Sequence, residues 1–84
     1  MVAIRQGILA KVRDKLADRL PGFDLKKLFL SATHTHTAPV TADGKYALPE
    51  TGIMQPGHYA DWMTTRGADS IAEAWQKRQP GKVV

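Results

Sequence analysis

The chain has 84 residues, with 12 Lys and Arg against 8 Asp and Glu, a formal charge of +4, and no cysteine. A chain of this length makes at most one small domain, burying roughly 60–65 % of its unfolded surface, with no disulfide to add stability. It has no run of about 20 apolar residues to span a membrane, and Arg5 and Lys11 break the one apolar N-terminal stretch that a secretory signal would need. The basic residues are spread over both halves and interleaved with Asp14, Asp18, Asp24, Asp61, Asp69 and Glu73. No RNA-binding or helix-turn-helix signature accompanies them, so the charge reads as a solvated face and not as a nucleic-acid footprint.

In chain order, Ile4, Ile8, Leu9, Val12, Leu16 and Leu20 recur at spacings of three and four, which predicts an amphipathic helix from about Val2 to Leu20. Gly7 weakens it by about 1 kcal/mol relative to Ala. Pro21-Gly22 ends it, because the residue before proline avoids α geometry and glycine suits a helix C-cap. Phe23 is expected to fold back onto the helix end. The compact apolar run Leu28-Phe29-Leu30 then predicts a buried strand from about Lys27 to Thr33.

The strand runs into Ser31-Ala-Thr-His-Thr-His-Thr-Ala-Pro39. Along a strand, side chains alternate faces, so His34 and His36 would point one way and Thr33 and Thr35 the other. Two residues of strand rise by about 6.6–6.8 Å, a separation at which two imidazoles can converge on one ion or one substrate. The pair also falls at the carboxyl end of a strand, where open α/β sheets place their ligand sites. The bland reading is that these histidines bond only to backbone or water. A zinc finger is excluded by the missing cysteines. Thr37-Ala38 stands where a metallo-β-lactamase-type site would want Asp and His, and the surroundings do not match an amidohydrolase barrel.

From Ala38 to Gly57 no helix is expected. A loop of this length in a small domain is usually a functional lid or disordered. Asp43-Gly44 can close a small hairpin between Val40-Thr-Ala42 and Lys45-Tyr-Ala-Leu48. A last helix should run from about Gly57 or His58 to Gln79, with Tyr59, Trp62, Met63, Arg66, Ser70, Ile71, Ala74 and Trp75 on one face and proline chemistry at its start. The tryptophans read as core packing. Gln79-Pro-Gly-Lys-Val-Val84 reads as a turn and the first residues of another strand. The first helix, meanwhile, has only one strand to pack on and lacks a parallel neighbour to complete a βαβ unit. The expectation is an α/β fold in the order helix, strand, long loop, helix, with the strand joining a larger sheet.

The segment Leu30-Ser-Ala-Thr-His-Thr-His-Thr-Ala-Pro39 resembles the signature of the neutral/alkaline, non-lysosomal ceramidases, in which a hydrophobic strand runs into Ala- or Gly-Thr-His-Thr-His-Ser/Thr, a small residue and Pro. Helices similar to Ile4–Gly22 and to the one ending at Ala74-Trp-Gln-Lys-Arg78 flank it in that family, so the resemblance covers most of the 84 residues. The chain departs from the family after the proline, with Ala38-Pro39-Val40-Thr41 where many members carry Gly-Pro-Gly-Gly, a difference that bears on the substrate entrance. The resemblance implies that residues 1–84 are a partial N-terminal catalytic domain, truncated at both ends and inactive alone. It implies a zinc-dependent amidase that hydrolyses the N-acyl bond of a ceramide-like lipid, working close to a membrane surface. It assigns His34 as a Zn2+ ligand and His36 as the catalytic residue beside the metal. Thr33, Thr35 and Thr37 are candidates to hold the second nitrogen of an imidazole. His58, Glu50 and Tyr59 are not assigned as ligands; the family's further His, Glu and Tyr ligands belong to sequence farther downstream. The alternative is a small basic binding or structural module in which the histidines hold no metal.

Overall fold

The computed structural model describes residues 3–84 and contains two α-helices, α1 (Gln6–Leu16) and α2 (Pro56–Gln76), with a single 3-10 turn, Leu25–Lys27, between them. Among the described residues there is no strand, so the fold is all-α and the expected α/β class is corrected. The run expected as a strand, Lys27–Thr33, shows why. Asp24 accepts a hydrogen bond from the Lys26 N–H at 3.0 Å and draws Lys27 into the 3-10 turn. Beyond it the chain is extended at Leu28 (φ −81°, ψ 121°). Leu28, Leu30 and Ala32 are half-buried, while Phe29, Ser31 and Thr33 are exposed. The period-2 pattern is therefore expressed, but a strand exists only where a neighbour takes up its backbone N–H and C=O groups, and no ladder forms here. Residues 78–84, the other expected strand start, carry no regular structure either.

The first helix is shorter than its apolar stripe. Arg5 is extended as N-cap (ψ 155°) and Ala17 as C-cap (ψ 130°), and Asp18 takes a left-handed φ of 63°, a conformation that aspartate tolerates better than most residues. Helix α1 thus stops well before Pro21, and Val2 lies outside the described residues. The stripe still works as a unit: Ile8, Val12, Leu16 and Leu20 are buried, the last from the turn that follows the helix.

Helix α2 buries a different face from the one expected. Its inward row is Pro56, Ala60, Thr64, Ala68 and Ala72, a strict i, i+4 series of mostly small residues. Trp62 is 48 % exposed, which corrects its placement in the core; Arg66, Ser70 and Ala74 are exposed as well, and Met63, Ile71 and Trp75 flank the row half-buried. The large residues of α1 enter the shallow groove left by the small residues of α2, so two i, i+4 ridges meet. Val12, Leu16, Leu20, Ala68 and Ala72 form the centre of the core, and Phe23, Leu25, Leu28, Leu30, Ile71 and Trp75 close over it. Thr64 is buried without an unsatisfied hydroxyl, since its Oγ1 donates to the carbonyls of Ala60 (2.8 Å) and Asp61 (3.0 Å).

The helices point the same way. Lys15 Nζ bonds Asp61 Oδ1 and Thr65 Oγ1, each at 2.8 Å, Arg19 reaches Asp69 at 2.9 Å, and Trp75 Nε1 donates to the Pro21 carbonyl at 3.0 Å. Residue numbers rise together along both helices, so the segment between them must run back. Arg13 starts that return, donating from Nε to the Leu25 carbonyl (3.0 Å) and from a guanidinium nitrogen to the Leu28 carbonyl (3.1 Å). The extended residues then pass along α1 toward its beginning.

The Lys15 hydrogen bond and charge hold the Asp61 carboxyl below the usual carboxylate range. A depressed folded-state pKa contributes stability above the unfolded pKa and loses it as pH falls through the folded one. Wild type should therefore exceed Asp61→Asn in stability at neutral pH by a small margin, and acid denaturation should show that margin vanishing below about pH 4.

Candidate functional site

The returning segment brings His34 and His36 to the end of the molecule where both helices begin. His34 adopts a left-handed φ of 65° and the chain bends at residues 36–38. This geometry is not that of a strand, but it still brings the two imidazoles together: their ring centroids lie 5.0 Å apart, edge to face at 74°. Both side chains are exposed. The two rings meet edge to face through a turn, and not on one face of a strand as expected.

The threonines between them do different work. The Thr35 Oγ1 accepts the Thr37 N–H at 3.3 Å, a local turn that shapes the bend around His36. Thr33 and Thr37 are exposed. His58 is exposed in the first turn of α2, and Tyr59 packs beside Trp62 with ring centroids 5.9 Å apart. Among the described residues, no group of three or more His, Cys, Asp or Glu side chains is placed to hold a metal. A catalytic zinc usually takes about three protein ligands, a number that the two imidazoles alone do not reach.

The loop after Pro39 does not cover the pair. It forms a wall of an open groove of about 400 Å³ that His36 lines together with Arg5, Thr41, Lys45 and Tyr46. The Asp43-Gly44 turn is present, with Gly44 at φ 79°, but the flanking residues do not pair into a hairpin. The turn is tied instead to α2, where Asp43 Oδ1 accepts the Gly57 N–H at 3.1 Å. Gln55, the N-cap of α2, makes no side-chain cap, and the first turn has no acidic residue, so Asp43 supplies from a distance the acceptor and negative charge that a helix start favours. A side chain at Gly57 would collide with the Asp43 carboxylate. Asp43→Ala should cost about 1 kcal/mol and free the groove wall, with urea denaturation reporting the first effect and the amide shifts of residues 38–46 the second.

Sequence reasoning missed Arg5 and Lys45 as neighbours of His36. Arg5 is separated from His36 by the whole first helix and the return segment, Lys45 follows His36 by nine residues, and neither belongs to a local motif that would draw attention to it. Asp43 was legible as turn chemistry, but its partner, Gly57, was not.

The geometry defines a pair of same-direction helices whose shared starting end carries two adjacent exposed imidazoles beside a cation-lined groove. Compared with protein-family models, curated proteins and solved structures, the chain matches none of them. No helix among the described residues is long and apolar enough to cross a membrane.

Proposed function

We propose that the chain is part of a zinc-dependent amide hydrolase resembling the neutral ceramidases, one that cleaves the N-acyl bond of a ceramide-like lipid into a fatty acid and a sphingoid base. The observation that carries this reading is the 5.0 Å juxtaposition of His34 and His36 within a segment that resembles that family's signature. Zinc, when bound, would bring the pKa of a water to near 7 and polarise a carbonyl. In this reading His34 would be the zinc ligand. His36, which stands edge to face against it and lines the groove, would orient a water or a substrate carbonyl and stabilise charge on the carbonyl oxygen. The other ligands would come from groups outside these 84 residues, so the chain by itself should bind zinc weakly and turn over nothing.

A second reading, a small basic module with structural histidines, draws support from the edge-to-face packing of the two rings. Calorimetric titration of the purified chain with zinc separates the two. Weak binding that disappears in His34→Ala and persists in part in His36→Ala supports the hydrolase reading. Indifference to zinc in a chain that melts cooperatively supports the basic module.

A further inference from the structure

The groove beside His36 carries a second set of chemical groups that the zinc reading does not use. Arg5 and Lys45 both line it, with the Thr41 and Tyr46 side chains between apolar stretches, and no carboxylate is among its lining residues. Among the described residues, the ion pairs engage Lys15, Arg19 and Lys77, and neither Arg5 nor Lys45 takes part in one. The nearest acidic side chain in sequence, Asp43, has an oxygen committed to the Gly57 N–H. The groove also adjoins the start of α1, where Arg5 is the N-cap, no side chain caps the first turn, and that turn contains no acidic residue. Two unpaired cations and an uncapped helix start add potentials of the same sign. A volume of about 400 Å³ lies within the range of small-molecule sites.

We propose that this groove is an anion site that takes a small oxyanion, a carboxylate or a phosphate, between Arg5 and Lys45. A guanidinium offers planar paired donors and an ammonium a compact charge, and both suit the oxygens of either group. The apolar stretches of the lining would accept the hydrocarbon part of an amphiphilic anion. The site stands independently of zinc, and its failure would leave the histidine reading untouched.

The test is an NMR titration of the isotopically labelled chain in metal-depleted buffer at constant pH and ionic strength, with inorganic phosphate in one arm and acetate in the other. Saturable amide shifts confined to Arg5, Thr35, His36, Lys45 and Tyr46 are expected. Affinity should fall by up to about fivefold in Arg5→Gln and in Lys45→Gln, and stay unchanged in Lys82→Gln. Arg5 and Lys45 are exposed, so both variants should keep the wild-type circular dichroism. Saturation by both anions identifies a general oxyanion site, by acetate alone a carboxylate site, and by phosphate alone a phosphoryl site. Shifts that do not saturate, that spread equally to Lys26, Lys27 and Lys82, or that persist unchanged in both variants overturn the proposal.

Discussion

Leu16→Ala should cost about 3–4 kcal/mol and lower the melting temperature by on the order of 20 °C. Leu16 is fully buried, at 0 % exposure, and it sits where α1 meets Ala68 and Ala72. The row facing it on α2 is built of small side chains that cannot reach across, and the larger Phe23, Leu25 and Trp75 flank it with bonds and contacts of their own. The cavity term should therefore be felt nearly in full. A domain of this size holds only roughly 4–12 kcal/mol in total, so the variant should lose much of its stability. Leu16→Met, which nearly conserves volume, should cost less than about 1.5 kcal/mol. Thermal melts followed by circular dichroism would check both, and a Leu16→Ala melt within a few degrees of wild type would contradict this description of the core.

Trp75→Ala should be nearly as damaging, at about 2–3 kcal/mol, less than a fully buried tryptophan because the ring is half-exposed. Three contacts meet on this side chain. Its Nε1 donates to the Pro21 carbonyl at 3.0 Å, the Phe23 ring lies edge-on at 5.0 Å, and the Arg78 guanidinium sits 3.7 Å from the ring centroid. The first two fasten the turn after α1 to the last turns of α2, and Arg78 covers the ring from the end of the same segment. Trp75→Phe retains much of the ring contact and loses the indole hydrogen bond, so it should recover all but about 1 kcal/mol. Urea denaturation followed by circular dichroism is the appropriate measurement, because the substitution removes one of the two fluorescent tryptophans.

These two residues also show what the sequence made legible. The row through Leu16 could be read because large apolar side chains at three- and four-residue spacing have one physical meaning. The matching row on α2 could not, because Ala60, Thr64, Ala68 and Ala72 are small, and the eye of a hydrophobicity pattern falls on the neighbouring Trp62 and Met63. Phe23 was expected to fold back at the end of the first helix, and it does so against Trp75. The strand failed for a different reason. Leu28 and Leu30 turn inward as a strand would have them, and Phe29 is 86 % exposed, but a ladder is a property of two segments, and no second one is present among the described residues. At the site, the spacing of His34 and His36 drew attention to the pair, but the strand alternation expected to align them is absent, and a left-handed His34 brings the rings together instead. The groove was not, since Arg5, His36 and Lys45 meet only through the path of the return segment.

That return path has a consequence for how the molecule assembles. Two helices that pointed in opposite directions could be joined by a few residues and could zip together from their common turn. Helices that point the same way cannot, and the chain from 17 to 55 must run back along the molecule for Leu16 and Ala68 to touch. Ordering between sequence-distant segments slows folding more than it affects final stability. The entropy of closing such a connection grows only logarithmically, by about 0.6 kcal/mol for each doubling of its length. The exposed stretch from 46 to 54 is thus a place where evolution or an engineer can add residues cheaply. The Arg13 bonds to the Leu25 and Leu28 carbonyls, by contrast, hold the first step of the route, and residues added there would pull those bonds apart.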